Sequence, residues 1–133
     1  MCIRDRYPYT ARTGTCQYSG KGTGKVADYF DVTPGSPSQL KAAILKGPTS
    51  VAIEADQFVF QGYTGGVITH GCGTRLDHGV LAVGYGTENG QAYFLVKNSW
   101  GASWGDNGYI KMADNGDGAG MCGMLMAGVR PTI

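Results

Sequence analysis

The stretch "LDHGVLAVGYGTENGQAYFLVKNSWG", residues 76–101, decides the fold. It holds two apolar runs, Val80 to Tyr85 and Ala92 to Val96, joined by "GTENGQ". Runs this short, ended by glycine and asparagine, read as strands, and the Asn89-Gly90 pair between them is a hairpin signal. Both runs are apolar on both faces, which predicts strands buried inside a barrel or between layers. Each run carries one polar residue at its far end: His78 before the first and Asn98 after the second. Closing the hairpin brings the two to the same open end. A strict two-residue turn would set His78 opposite Gly101 and leave Asn98 on the other face. Direct opposition therefore requires a three- or five-residue loop, or a β-bulge, to change the parity of the register.

An asparagine amide that accepts from one ring nitrogen of His78 would fix its tautomer and leave the other nitrogen free to work on a thiol. Asp77 cannot take that role directly, because adjacent strand residues point to opposite faces. Trp100 and Trp104 stand close enough in sequence to cover the Asn98–His78 bond and exclude water. Taken by itself, His78 reads more readily as a buried histidine satisfied by a backbone carbonyl.

Outward from this hairpin, "SPSQLKAAILKGP" predicts a helix. Ser36 suits the N-cap, Pro37 the first helical position, and Gln39 completes a capping box. Leu40, Ala43 and Ile44 then share one face, and Gly47 and Pro48 supply the C-cap and the stop. "KVADYFDV", "TSVAIEA" and "GDNGYIKMA" read as strands, the second with Val51 and Ile53 on one face. "GKGTGK" at Gly20 has the wrong spacing for a phosphate loop and reads as a flexible surface loop. "DNGDGAG" would place Leu125 where a calcium loop needs a bidentate glutamate, so it is rejected as a cation site.

The 133 residues make one domain, or one domain with a tail, long enough to bury a core. Hydrophobic content of 42% fits a globular chain, and 23 glycines with 16% charged residues point to β-structure with tight turns. A net charge of +1 supplies no basic field for nucleic acid or acidic membrane. Apolar runs fall well short of the roughly 20 residues that span a bilayer, and no charged-then-apolar leader is legible in the sequence given. The cysteines are Cys2, Cys16, Cys72 and Cys122, with no C-x-x-C spacing. Cys72 and Cys122 lie in glycine-rich loops, where they could pair in a secreted or lumenal protein or remain two buried thiols. A zinc site from His70, Cys72, His78 and Cys122 is a further reading of the same residues.

"DHGVLAVGYG" and "YFLVKNSWGASWGDNGYIKM" resemble the histidine and asparagine blocks of papain-like cysteine peptidases, the cathepsin L-like branch in particular. "YPYTA", "GPTSVAIEA", "GYTGGV" and "MCGM" follow in family order, so the resemblance covers Tyr7 to Ile133. It implies an α+β chain: the antiparallel, barrel-like right-hand domain of the papain-like fold with one short helix, without the helical domain that bears the nucleophile. It implies His78 as the catalytic general base, Asn98 as its orienter, Trp100 as the shield of that pair and Cys72–Cys122 as a disulfide. The matched substrate-pocket positions are Ala52, Leu76, Gly79 and Ala127; their small side chains around one leucine favour Leu, Phe or Val over Arg two positions before the cut. No cofactor or metal is implied.

In this family the nucleophile, within C-G-[SA]-C-[WY], lies about 130–150 residues before the histidine. Only 77 residues precede His78, and neither Cys2 nor Cys16 has that setting. The expected organisation is a foreign leader over residues 1–6, the tail of the helical domain over 7–24 and the β-rich domain over 25–133. Cys16 matches a family cysteine whose partner lies upstream; it would remain free or pair with Cys2. Arg130 replaces a usual aromatic near the C-terminus. The chain by itself is expected to be inactive, with an exposed face meant for the other domain. The expected partners are protein or peptide substrates, the helical domain, and propeptide or protein inhibitors, in a lysosomal, vacuolar or extracellular setting. The alternative is a non-catalytic homologue that acts as a binding protein.

Overall fold

A computed structural model describes residues 8, 10, 12–20 and 24–133. The leader reading of residues 1–6 and residues 21–23 of the loop at Gly20 lie outside them. The elements run β1 (Asp28–Val32), α1 (Pro37–Ile44), β2 (Thr49–Ile53), α2 (Phe58–Gln61), β3 (Val67–Ile68), β4 (His78–Glu88), β5 (Gln91–Lys97), β6 (Tyr109–Ala113) and β7 (Gly128–Thr132), with a 3₁₀ turn at Met121–Gly123 before β7. All strands join one seven-stranded sheet in the order β1-β7-β2-β4-β5-β6-β3. Neighbours are antiparallel except β3 and β6, which run parallel. The sheet is open, with β1 and β3 as edges, so the barrel description holds only loosely.

The helix forms where its caps place it. Ser36 Oγ accepts the Gln39 N–H at 3.3 Å and Pro37 stands at the first position. The reciprocal half of the capping box is taken by the chain itself, because the Ser36 N–H donates to the Thr33 carbonyl at 3.3 Å. The C-cap falls on Leu45, and Gly47 closes the turn beyond it with its N–H on the Ile44 carbonyl. Leu40, Ala43 and Ile44 enter the core as their spacing requires. Ser36→Ala should lower stability by about 1 kcal/mol, read as a lower denaturant midpoint at unchanged slope.

The two sides of the sheet differ. The cross-strand row Thr49, Ala82, Val96 and Ile110 is fully buried, each at 0% exposure. The next row, Ser50, Leu81, Lys97 and Tyr109, lines an open groove of about 1410 Å³. This corrects the expectation that the central runs are buried on both faces: Leu81 is 40% and Tyr85 42% exposed. The core layer of α1, Phe60, Met121 and Met124 packs on one side alone, and period-two patterning cannot report which apolar face lacks such a layer.

The hairpin resolves the register question by one of the two expected routes. Glu88 pairs with Gln91 across a two-residue turn in which Asn89 (φ 49°) and Gly90 (φ 81°) both take the left-handed conformation. A bulge then inserts Val83 between the pairs Gly84–Leu95 and Ala82–Val96. Carried past Leu81–Lys97, the shifted register sets His78 across from Trp100, on the same face as Asn98.

Candidate active site

His78 opens β4 and Asn98 stands one residue beyond β5. Their side chains meet, with His78 Nε2 2.9 Å from Asn98 Oδ1. The amide orientation follows from its second contact: Oδ1 also accepts the Ser99 N–H at 2.8 Å. A flipped amide would point its NH₂ group at that donor. Oδ1 can only accept, so Nε2 carries the proton of this bond and Nδ1 is the nitrogen left for chemistry. Asn98 is 6% exposed, and its backbone N–H donates to the Gly108 carbonyl at 3.0 Å. Its Nδ2 is buried without a hydrogen-bond partner among the described residues.

Aromatic rings surround the pair. Trp100 lies over His78 with ring centroids 5.1 Å apart, tilted by 32°. Phe60, fully buried, meets His78 edge-on at 6.2 Å and Trp100 at 5.4 Å. Trp104 packs behind them against Phe60 (4.9 Å), Trp100 (5.5 Å) and Tyr63 (6.0 Å), and its indole N–H donates to the Gln61 carbonyl. Phe60 and Tyr63 did not stand out in "QFVFQGY", because the single turn α2 is too short to show a helical period. Tyr63 bridges α2 to β6: its hydroxyl donates to the Gly66 carbonyl and accepts the Lys111 N–H, and burial raises its pKa above the ordinary phenol value. Asp77 turns away from the imidazole, its carboxylate accepting the Ala55 N–H at 2.8 Å.

The residues matched to the substrate pocket gather at the same end of the sheet. Ala52 pairs with Gly79 across β2 and β4, and the Ala52 N–H donates to the Ala127 carbonyl at 3.2 Å. Leu76 rests on Gly123, where an added Cβ would stand 2.7 Å from Leu76 Cδ2. On the loop before β4, Arg75 hydrogen-bonds Asp56 at 2.7 Å, which holds that carboxyl below its usual range and raises the guanidinium. Cys72 and Cys122 form a disulfide, with Cα atoms 5.1 Å apart, that ties this loop to the 3₁₀ turn. That bond uses both sulfurs of the zinc reading, and exposed His70 pairs with Thr69 Oγ1. Cys16 is a free, exposed thiol, whereas Cys2 lies outside the described residues.

An imidazole oriented by a carboxamide, with one nitrogen free at the rim of a groove, has the geometry of the base side of a thiol-hydrolase site. The chain belongs to the papain family of cysteine proteases, whose profile matches residues 1–132. It is 50% identical over 128 residues to the probable cysteine protease RD21B of Arabidopsis thaliana, covering 94% of this chain and 28% of that protein. It superposes on the bromelain protease of Ananas comosus, solved with the E64 inhibitor, with a TM-score of 0.90 and 40% identity, over 99% of this chain and 62% of that one. The proform of the ragweed pollen allergen Amb a 11 matches with a TM-score of 0.91 at 34% identity, over 98% of this chain and 36% of that one. The chain thus spans less than two thirds of these relatives and corresponds to the C-terminal part of the family fold.

Proposed function

We propose that this chain supplies the base side of a cysteine endopeptidase, with His78 as general base and Asn98 as its orienter. The observation that carries the reading is the 2.9 Å bond from His78 Nε2 to Asn98 Oδ1, which commits Nε2 and leaves Nδ1 free. In the full-length protease a cysteine of the helical domain gives its proton to Nδ1 and attacks the peptide carbonyl as a thiolate. The imidazolium then protonates the leaving amine. Water, deprotonated by the same ring, hydrolyses the acyl-enzyme and regenerates the thiol. Trp100 and Trp104 keep bulk water from the Asn98–His78 bond. Residues 25–133 form the β-rich unit and residues 7–24 belong with the helical domain, which covers the groove beside His78.

Ala52, Leu76, Gly79 and Ala127 shape an apolar pocket for Leu, Phe or Val two positions before the cut. Partners are protein or peptide substrates, a propeptide of the kind present in the Amb a 11 proform, and protein inhibitors. A disulfide between loop cysteines suits a vacuolar, lysosomal or extracellular compartment.

The test is a peptidyl epoxide probe, applied to the full-length reading frame and to this chain alone. Labelling of the first at one cysteine, with neither labelling nor peptide hydrolysis by the second, is the expected result. A serine at the nucleophile position, with no labelling, would establish the binding-protein alternative instead.

A further inference from the structure

The backbone ladder between β2 and β4 ends at Ile53–His78, and its last bond runs from the Asp77 N–H to the Ile53 carbonyl. The loop that carries Leu76 continues beyond that point; the Cys72–Cys122 disulfide anchors its start, and between that bond and Asp77 it is held by side chains. Asp56 and Arg75 form one attachment, but both are exposed, and such pairs contribute little. Glu54 forms another of a different kind. It is 6% exposed, its carboxylate accepts the Gly73 N–H, and its own N–H donates to the Cys122 carbonyl at 2.8 Å. A charged acceptor in a buried setting makes the stronger class of hydrogen bond. Gly73 is what lets the carboxylate approach, since an added Cβ would stand 2.9 Å from Glu54 Oε2. On the far side the loop lies on Gly123, whose added Cβ would stand 3.3 Å from Thr74 Cα.

We infer that Glu54 is a positioning residue for substrate selection: its buried carboxylate, joined to Gly73, fixes the loop that sets Leu76 as the wall of the pocket. The inference rests on the peptidase reading and on the pocket assigned above. His78 is secured separately, by the ladder and by Asn98, so loss of the Glu54 contact acts on side-chain selection and leaves the chemical step in place.

The test uses full-length protease and paired fluorogenic peptides with Leu or Ala two positions before the cut. Glu54→Ala should lower the Leu-over-Ala preference in kcat/KM by about tenfold, the scale of a lost methylene contact in an apolar pocket. The loss should fall on KM for the Leu peptide, with kcat per titrated active site held within about twofold. Glu54→Gln keeps an acceptor oxygen for Gly73 and should restore most of the preference. Gly73→Ala, which crowds the carboxylate at a position without a positive φ, should reproduce the loss. If Glu54→Ala does not fold, the Gly73→Ala preference decides. An unchanged preference in active Glu54→Ala or Gly73→Ala would overturn the inference, as would a Glu54→Gln defect equal to that of Glu54→Ala. A wild-type enzyme with no hydrolysis of either peptide would instead overturn the peptidase reading.

Discussion

In the proposed full-length protease, His78→Ala is expected to lower kcat/KM by about 10⁴-fold or more, because His78 is the sole imidazole among the described residues that line the groove. Nδ1 is the nitrogen left open by the Asn98 contact, so in the proposed mechanism the imidazole both deprotonates the nucleophile and returns the proton to the leaving amine. Asn98→Ala should cost less, about 10²-fold, since the ring remains and loses only the acceptor that fixes its tautomer and tilt. Thiol alkylation separates the two effects. Without His78 the nucleophile should alkylate slowly near neutral pH and recover as pH approaches the ordinary cysteine value of about 8.5. Without Asn98 most of the neutral-pH reactivity should persist. Hydrolysis by His78→Ala within tenfold of wild type would remove His78 from the mechanism.

The geometry behind that result was partly legible in the residues. The Asn89-Gly90 turn, the two apolar strands and the need for a parity change follow from a side-chain period of two. Which strand would bulge, and where, did not follow. Val83 is one apolar residue in a run of them, and only the placement of Ala82 and Val80 against the core selects it as the inserted one. The helix was legible because its caps are local: Ser36, Pro37 and Gln39 act within one turn. Phe60, Tyr63 and Glu54 were not, because each acts through a partner 18 or more residues away: Phe60 on His78, Tyr63 on Lys111, Glu54 on Gly73. The exposed side of β4 misled for a related reason. An apolar run does not distinguish a strand covered by its own core from one covered by another domain, and in the proposed enzyme Leu81 faces the helical domain across the groove.

Phe60→Ala is the substitution expected to cost the most stability, about 3–5 kcal/mol, the usual range for removing a phenyl ring from a close-packed interior. Phe60 is fully buried on the single turn α2, beneath His78, Trp100 and Trp104 at once. Its loss leaves a cavity lined by two indoles whose other contacts do not let them collapse inward: Trp104 is tied by its N–H to the Gln61 carbonyl, and Trp100 lies over the imidazole. Phe60→Leu should recover part of the loss by refilling the centre of the void. Denaturant unfolding followed by tryptophan fluorescence reads both quantities, because both indoles touch the deleted ring. The same substitution should also lower kcat in the full-length protease, since Trp100 would lose the ring that seats it against His78. A Phe60→Ala midpoint within about 1 kcal/mol of wild type would mean that the aromatic cluster does not carry the packing assigned to it. The support of the imidazole would then rest on Asn98 and the strand ladder.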